Sequence, residues 1–427
     1  MGVKTRKLGN VNTDIIEWQS IKTSDFTAVA GEGYFINTTS GQVTMTLPTT
    51  AHIGDTIRIN DFAGTAATNN IIIARNGHKI EGGAGNGALG TNKQTATLVY
   101  VNVSTGWKVV ENVTPETVGA SYISAAGGTV TESGDYKVHS FTGDGNFVVS
   151  SIGNSLGGGN KVSYLVVAGA GGGGTQRGGG GGAGGYREGK EPSDPYAPGA
   201  SPLAASSGLT LSAQTYPITV GGGGTGSNDP SSGQPNAYGT SGSNSVFSTI
   251  TSAGGGVGGN NTPPSHMNGI AGGSGGGAGG QACAVGAAGN TPPVSPSQGN
   301  AGGDDVRPGS PPGEGGGGGG GAGSAGGDSN MGTAGNGGNG TPSTISGSNV
   351  TRAGGGGGGT TAPSATGSAG PGGGGEGGNA PPGSDGHAGT ANTGGGGGGS
   401  GNTPNPSTAN GGNGGKGIVI IRYKFQN

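Results

Sequence analysis

The residues able to do acid–base or metal chemistry are few and scattered in this chain. The histidines are His52, His78, His139, His266 and His387. No two of them have the spacing at which a chain usually presents paired metal ligands. Asp304 and Asp305 supply only two adjacent carboxylates, which is poor for a calcium site, so we expect a solvated turn there. The sequence therefore predicts no metal ion and no cofactor.

Two short segments look like catalytic motifs but lack the surroundings that catalysis needs. Residues 411–417 read GGNGGKG, with Gly417 where a phosphate-binding loop requires Ser or Thr. Asp328 and Ser329 lie between glycine runs, whereas a nucleophilic serine needs a rigid turn between a strand and a helix. We therefore expect no nucleotide binding and a protein that is not an enzyme.

The remaining candidates are side chains that could bind a partner surface. Tyrosine, arginine and histidine in loops are residue types that suit such surfaces. The candidates in the Gly-, Pro- and Ser-rich segments are Tyr186, Tyr196, Tyr238, His266, Arg307, Arg352 and His387. The alternative for the tyrosines is packing against a β base, and we expect Tyr216, in the alternating TYPITV, to be a core residue.

The glycine content limits which structural elements could position these side chains. It occupies 112 of 427 positions, and 92 of these glycines fall in residues 151–427. The absence of a Gly-X-Y period, with only 24 prolines, excludes collagen. Residues 251–413 hold nine large aliphatic residues and no aromatic residue. Such a stretch cannot form a side-chain core, because that stabilisation scales with the apolar area buried.

The charge and cysteine content exclude further classes of partner and of covalent cross-link. The formal net charge is −3 and 10% of residues are charged, which disfavours nucleic acid as a partner. Cys283 is the single cysteine, so no intrachain disulfide can form; we expect it to be a small buried residue or incidental. No apolar run approaches 18 residues and no signal peptide is evident, so we expect synthesis in a cytoplasm and no membrane insertion.

Hydrophobic patterning predicts an all-β chain with essentially no α-helix. Short alternating segments such as QVTMTLP indicate a small sandwich or barrel. We further expect a hairpin around the loop 142–145, since GDYKVHSF and NFVVSS flank it. The expected organisation is a lead-in at 1–30, a β-sandwich or barrel at 31–115, a β base at 116–170, a glycine-rich region at 171–416 and a closing strand at 417–427.

The glycine-rich region begins and ends next to apolar strands. KVSYLVVAGAGG starts at Lys161, and GKGIVIIRYKF carries an apolar run from Ile418 to Phe425. We expect these two strands to pair, which would make the glycine-rich region a closed excursion from a β base.

Two structures are open for the glycine runs themselves. Gly/Ser-rich chains are commonly flexible linkers. The alternative is a bundle of polyproline-II-like helices, with three residues per turn and backbone groups free to bond to neighbouring helices. Only glycine allows backbones to approach that closely. Pure glycine runs, with turn-forming residues confined to the joints between them, favour the bundle.

These segments also resemble a known family. YLVVAGAGGGGTQRGGGGGAGGYREG, YPITVGGGGTGSN and the closing GGNGGKGIVIIRYKF are similar to the glycine-rich domain of bacteriophage tail fibres and tail-tip adhesins. The stretch from GEGYFINTTSGQVTMTLP to STGWKVV resembles a β-module in fibre proteins of marine cyanobacterial phages. Together the two cover about 350 residues.

The resemblance implies a polyglycine-II helix bundle whose loops bind the host surface. On this basis we expect a virion fibre protein that binds other virion proteins through its N-terminal part. Its expected partner is a host cell-surface glycan or protein, and its expected assembly is a homotrimer. The alternatives are a capsid or tail decoration fibre with a glycine-rich spacer or weak adhesive, and a bacterial surface protein, against which the lack of a signal peptide argues.

Overall fold

The chain forms two compact units in a computed structural model, residues 1–120 and 121–427. The structure describes residues 16–113, 120–199, 207–228, 238–262, 264–280, 283–306, 315–361, 365–380, 383–402 and 409–426. Within these residues there is no α-helix, only two 3₁₀ turns at Ser155–Gly157 and Pro264–His266. The expected all-β class with a packed glycine-rich domain is confirmed.

Over its described residues, the first unit is a two-sheet sandwich of nine strands. They are β1 (Glu17–Trp18), β2 (Phe26–Thr27), β3 (Glu32–Ile36), β4 (Val43–Thr46), β5 (Thr56–Asp61), β6 (Ile71–Ala74), β7 (Gly87–Leu89), β8 (Thr95–Asn102) and β9 (Gly106–Val113). One sheet has the order β1-β3-β5-β8-β9 and the other β2-β4-β6-β7. Between them lies one core, in which Tyr34, Met45, Ile57, Leu98 and Trp107 are buried.

The first six strands alternate between the two sheets and pair in parallel within each sheet. The chain therefore winds as a short β-solenoid before it ends in antiparallel strands. Because β1 and β2 belong to these sheets, the residues from 16 onward are part of this unit and not of a separate lead-in.

In the residues that the structure describes, the second unit has thirteen strands in three sheets. They are β10 (Ser124–Ala126), β11 (Thr129–Ser133), β12 (Tyr136–Phe141), β13 (Gly145–Ser151), β14 (Lys161–Val167), β15 (Tyr186–Gly189), β16 (Leu209–Thr210), β17 (Thr215–Thr219), β18 (Ser245–Phe247), β19 (Ile250–Ser252), β20 (Thr341–Ser343), β21 (Val350–Arg352) and β22 (Ile418–Lys424). The sheet β10-β13-β17-β18-β19 packs against the sheet β11-β12-β22-β14-β15, in which β16 also pairs with β14. Strands β20 and β21 form a separate hairpin.

The closing strand β22 lies between β12 and β14 and is antiparallel to both. Ile418 pairs with Val167, and Ile421 pairs with Tyr164, so the predicted closure of the glycine-rich region is confirmed. Every residue from Val162 to Val167 is buried, because one face of this sheet meets the other sheet and the opposite face meets the glycine bundle. Burial on both faces explains the continuous apolar runs of these two strands.

The predicted hairpin around residues 142–145 is wrong. Strand β12 instead forms its hairpin with β11, where Ser133 pairs with Tyr136. Strand β13 belongs to the opposite sheet, so the loop carries the chain across the sandwich. Asp144 in that loop accepts a hydrogen bond from the N–H of Val220 at 2.8 Å. A Gly-containing loop suits either connection, and the alternating pattern of the flanking strands does not distinguish them.

The run 178–185 shows how the glycine segments pack. Its N–H groups donate in rotation to three neighbouring segments, so every third residue contacts the same neighbour. The pairs are Gly178 with Ser400, Gly181 with Gly397 and Gly184 with Gly394; Gly179 with Gly259, Gly182 with Gly256 and Gly185 with Ala253; Gly180 with Gly317 and Ala183 with Gly320, at N···O distances of 2.7 to 3.2 Å. A repeat of three residues is that of the polyproline-II helix.

The carbonyl groups of the same run accept hydrogen bonds from three further segments. These are 168–174, 274–280 and 356–359, again with every third carbonyl facing the same neighbour. The run therefore has six neighbours, as in a hexagonal array of parallel and antiparallel rods. Its backbone polar groups are paired although the run is buried, which is the condition for burying backbone away from water.

Glycine is required in this array because carbonyl oxygens occupy the positions of side chains. A Cβ built on Gly180 would lie 2.0 Å from the carbonyl oxygen of Gly356, and one on Gly317 would lie 2.1 Å from that of Gly303. On Gly396 the distance to the Gly181 oxygen would be 1.9 Å. The linker interpretation is therefore wrong for the described runs, and the composition follows from the packing.

Asparagine and aspartate side chains join neighbouring runs at the perimeter of the bundle. Their Oδ1 atoms accept hydrogen bonds from N–H groups of the adjacent run at 2.8 to 2.9 Å. The residues are Asn244, Asn268, Asp304, Asp328, Asn336, Asp385 and Asn413. The carboxylates of Asp304 and Asp328 thus have a structural role.

Candidate functional site: the distal face of the glycine bundle

The path of the first two runs defines the two ends of the bundle. Strand β14 leaves the sandwich at Val167 and continues as the run 168–174; the run 178–185 returns to the sandwich at β15. The turn 175–177 between them therefore lies at the end of the bundle farthest from the sandwich. We call this end the distal face, and the end next to the sandwich the basal end.

Gln176 and Arg177 lie at the centre of the distal face, because both flanking runs are surrounded by other runs. Thr175 is buried, whereas Gln176 and Arg177 are half-buried. The turn is fixed from beneath: the N–H of Thr175 donates to Oδ1 of Asn260 at 3.0 Å, and that of Arg177 donates to the carbonyl of Ser400 at 3.0 Å.

The backbone of this turn is strained. Gln176 and Arg177 have φ angles of 56° and 65°, the left-handed region in which a side chain costs roughly 1–2 kcal/mol per residue relative to the right-handed one. Glycine would remove that cost, and this chain uses glycine freely. Two consecutive residues with long side chains in this region are typical of a site where the side chains themselves are needed.

Polar groups surround the turn. The hydroxyl of Thr262 donates to Oε1 of Gln176 at 2.6 Å, and the hydroxyl of Ser400 accepts from the N–H of Gln176 at 3.1 Å. Asn260 and Asn261 are buried beside them, with 0% and 4% of their surface exposed. Nδ2 of Asn260 and Oδ1 of Asn261 have no hydrogen-bond partner among the described residues. Buried polar atoms in native proteins are nearly always paired, so these two indicate a place for a further polar group.

Two residues predicted from the sequence meet beside this polar cluster. The rings of Tyr238 and His266 are 4.4 Å apart between centroids, and the Tyr238 hydroxyl donates to the carbonyl of Asn268 at 3.0 Å. Burial raises the pKa of Tyr238 to about 12. His266 is linked to the cluster through its carbonyl, which accepts from the N–H of Asn260 at 2.7 Å. The structure thus brings Tyr238 and His266 together at the distal end.

His387 lies elsewhere, on the side of the bundle. Its N–H donates to the carbonyl of Glu376 and its carbonyl accepts from Gly398, both in the middle of runs. Its exposed ring is 3.7 Å from the Glu376 carboxylate. Arg307 lies outside the described residues.

Tyr186, Tyr196 and Arg352 are not available to a receptor, and their prediction as binding residues is wrong. Each is only 5% exposed, and each lies at the basal end. The alternative, packing against the β base, holds for both tyrosines, which belong to a core cluster with Leu165 and Ile420. Tyr216 is buried in the sandwich as predicted.

Glu188 organises the polar groups at the basal end. Its carboxylate accepts hydrogen bonds from the hydroxyl of Tyr186 at 2.8 Å, the hydroxyl of Ser343 at 2.6 Å and the N–H of Gly199 at 2.7 Å. Burial, together with the neighbouring Glu188, raises the pKa of Tyr186. Burial lowers the pKa of Arg352. These contacts join the β20–β21 hairpin to the base, which is a structural role.

Arg422, in the closing IRY segment, is also structural. Its Nε lies 2.9 Å from the carboxylate of Asp194, and both side chains are almost fully buried. The guanidinium covers the ring of Tyr136 at 4.5 Å from the centroid, and Asp194 also accepts from the hydroxyl of Ser163.

Cys283 is exposed, contrary to the expectation of a small buried residue. It follows the run that ends at Gly280, whose N–H donates to the carbonyl of Arg177. It therefore lies at the distal end.

Among the described residues there is no cluster of three or more metal-ligating side chains. In that same part of the chain, no helix is long and apolar enough to cross a membrane.

The fold defines a class of protein in which a β-sandwich base carries a bundle of polyglycine-II helices, with polar joints at the far end. The glycine-rich domain family matches residues 156–424, from the 3₁₀ turn before β14 to the end of β22. The chain belongs to this family. A comparison with curated proteins finds no match.

Proposed function

We propose that the protein is a non-enzymatic fibre component of a phage virion, and that the distal face of its glycine bundle recognises the host surface. The observation that carries this proposal is the concentration of strained, half-buried polar side chains on one end of a rigid rod array. Loops on a rigid scaffold are the usual place for binding residues. The resemblance of the glycine-rich segments to phage adhesins supports the same conclusion.

The rest of the proposal is what the resemblance to phage fibre proteins implies. The N-terminal part binds other virion proteins, the glycine-rich part binds a cell-surface glycan or protein, and the fibre acts as a homotrimer. The alternative is a capsid or tail decoration fibre in which the glycine-rich region is a structural spacer or a weak adhesive. Immunogold labelling of particles with an antibody against the chain distinguishes the two by placing it at the tail tip or on the capsid.

The single cysteine allows a direct test of the binding face. A bulky maleimide-polyethylene glycol on Cys283 should block binding of the purified full chain to host cells, because it covers the distal end. The matched control carries Cys283→Ser and Asn392→Cys, which moves the same label to the basal end. The assignment of the distal face would be contradicted if both labels blocked binding, or if neither label did.

A further inference from the structure

Seven asparagines of the chain are each followed by glycine: Asn76, Asn86, Asn268, Asn336, Asn339, Asn410 and Asn413. This pair is prone to spontaneous deamidation, because glycine has no side chain to shield its backbone nitrogen. The nitrogen forms a bond to Cγ of the asparagine and the carboxamide C–N bond breaks. The displaced NH2 group takes the proton of the attacking N–H and leaves as ammonia. Water then opens the succinimide ring at either carbonyl, which gives aspartate or isoaspartate.

Isoaspartate would disrupt the glycine bundle. It moves the side-chain CH2 group into the main chain, so the backbone becomes longer by an atom. A run contacts the same neighbour at every third residue. A longer backbone would therefore shift all the following N–H and carbonyl groups away from their partners. Five of the Asn–Gly pairs lie in the second unit, from Asn268 to Asn413, so the order of the bundle depends on how slowly they react.

In all five of these pairs, the glycine N–H is hydrogen-bonded to another segment. Gly269 donates to Val285, Gly337 to Ser368, Gly340 to Pro371, Gly411 to Ser227 and Gly414 to Gly224, at N···O distances of 2.7 to 3.0 Å. The reaction requires this N–H to lose its proton and its nitrogen to approach Cγ. Each of these hydrogen bonds must therefore break before the pair can react.

In two of the pairs, the same neighbouring residue also holds the asparagine side chain. The N–H of Val285 donates to Oδ1 of Asn268 at 2.9 Å, while its carbonyl accepts from Gly269 at 3.0 Å. Ser368 holds the pair at Asn336 in the same way, with both distances 2.9 Å. We call this arrangement an Asx clamp: one residue donates to the Oδ1 atom and accepts from the residue after it. The clamp fixes both reacting groups at once.

The Asx clamp recurs at two aspartates, which form the same succinimide by loss of water. Asn410 donates to Oδ1 of Asp385 at 2.8 Å and accepts from the N–H of Gly386 at 2.9 Å. Asp304 holds Asp328 and the residue after it with the same two distances. The clamp is therefore a repeated feature of the perimeter of the bundle.

The pair at Asn76 is held less completely. It lies in a turn of the first unit, with φ angles of 46° at Asn76 and 88° at Gly77. Nδ2 of Asn76 donates to the carbonyl of Leu47 at 2.8 Å, but the N–H of Gly77 has no hydrogen-bond partner among the described residues. Asn76, Asn268 and Asn336 are all exposed, so access of water does not distinguish them.

We propose that Asn76 is the position at which the folded chain deamidates, and that Asx clamps and glycine hydrogen bonds protect the asparagines of the bundle. A held pair reacts only after local opening, and each 1.4 kcal/mol of opening free energy slows it about tenfold. Asn86 belongs with the protected pairs, because its Oδ1 accepts from the N–H of Arg75 at 3.1 Å and Gly87 pairs with Ile73 in the sheet.

Peptide mapping by mass spectrometry tests the proposal on the full chain. The protein is incubated in mildly alkaline buffer, which favours loss of the N–H proton, once folded and once in denaturant. In denaturant the Asn–Gly pairs should all react at similar rates. In the folded chain, Asn76 should react at least about tenfold faster than Asn268 and Asn336. The proposal is overturned if Asn268 reacts as fast folded as unfolded, or if Asn76 is no faster than Asn268 in the folded chain.

A second experiment isolates one Asx clamp. Proline has no N–H, so Val285→Pro removes the hydrogen bond to Oδ1 of Asn268 and keeps the carbonyl that holds Gly269. Deamidation of folded Asn268 should become about two- to tenfold faster, as expected for the loss of one hydrogen bond. Asn336 in the same molecule should be unchanged. Val285→Ala, which keeps the N–H, is the matched control.

Two results of the second experiment would contradict a specific role of the clamp. One is an unchanged rate at Asn268 in Val285→Pro. The other is an equal rise at Asn268 and Asn336, which would assign the protection to the order of the bundle as a whole.

Discussion

The sandwich base and the glycine bundle reach dense packing by opposite means. In the base, large side chains such as Tyr164, Phe147 and Phe247 fill the space between two sheets. In the bundle, the absence of side chains lets carbonyl oxygens approach to within about 2 Å of where a Cβ would lie. The first core stabilises by burying apolar area, whereas the second stabilises by hydrogen bonds between backbones.

This difference implies that the bundle depends on the base. Glycine loses more conformational entropy on ordering than any other residue. The net contribution of one hydrogen bond is only about 0.5–1.5 kcal/mol, so a few glycine helices would not stay ordered alone. The base aligns the first and last runs through β14 and β22, which are adjacent strands. Four experiments test this comparison between the base and the bundle, in order of decreasing expected effect.

The largest effect should come from removing residues 418–427. Strand β22 lies between β12 and β14 and contributes to the core clusters on both faces of its sheet. Its loss should unfold the second unit, including glycine runs far from it in sequence, and limited proteolysis should then cleave residues 250–410 rapidly. Removal of residues 426–427 alone is the control. Native protease resistance of those runs without β22 would show that the bundle is autonomous.

A smaller effect should come from the buried ion pair of the base. Arg422→Met leaves the carboxylate of Asp194 buried without its cation, which should lower the free energy of unfolding of the second unit by about 3–5 kcal/mol. The double variant Arg422→Met/Asp194→Leu should be less destabilised than the single one, because no uncompensated charge remains. Denaturant unfolding followed on both variants checks this. A double variant destabilised as much as Arg422→Met, or more, would contradict it.

A matched pair of glycines tests the bundle itself. A Cβ on Gly223 would lie 1.9 Å from the carbonyl oxygen of Gly414, whereas one on Gly222 would have nothing within 4 Å. Gly223→Ala should destabilise by about 1–3 kcal/mol. Gly222→Ala should be neutral or slightly stabilising, because it restricts the unfolded chain. Equal melting temperatures for the two variants would show that the run is not packed as described.

Much of the architecture could be predicted because it depends on residue periodicity. Two continuous apolar runs, such as the one at Ile418, predicted the closing pair of strands. Glycine runs free of other residues predicted the bundle, since a bundle excludes a Cβ wherever a carbonyl faces it. The connection through residues 142–145 was mispredicted, because a short polar loop does not reveal whether the next strand joins the same sheet or the opposite one.

The candidate site was harder to predict, because loop composition does not reveal which end of the bundle a loop occupies. Tyr186 follows a run that returns to the base, so it is buried, while Gln176 and Arg177 follow a run that leaves it. The signal was present: three non-glycine residues, Thr175 to Arg177, separate the first two glycine runs, and counting chain reversals from β14 places them at the far end. Nδ2 of Asn260 and Oδ1 of Asn261, which have no partner among the described residues, are placed by tertiary contacts that the sequence pattern does not reveal.

The smallest effect concerns the dependence of stability on pH, and it belongs to the base. His139 is fully buried; its Nδ1 is 2.7 Å from the carbonyl of Gly127 and its Nε2 is 3.0 Å from the hydroxyl of Tyr423. A neutral ring satisfies both contacts, with Nδ1 donating and Nε2 accepting. Burial lowers the pKa of His139. Below the ordinary histidine pKa of about 6.5, the unfolded chain therefore binds a proton that the folded chain resists.

The contribution of neutral His139 to the free energy of unfolding should accordingly be fully present above pH 6.5. It should decrease as the pH falls toward the lowered pKa of the folded state. Each unit by which the pKa is lowered corresponds to about 1.4 kcal/mol, which for a unit of this size is only a few degrees in melting temperature. Melting curves of the second unit between pH 7.5 and 5 should show this decrease, and His139→Gln should reduce it. His387→Gln is the control, because the ring of His387 is exposed on the bundle and should leave the slope unchanged. A slope that persists in His139→Gln would assign the pH dependence to another group and remove this distinction between the base and the bundle.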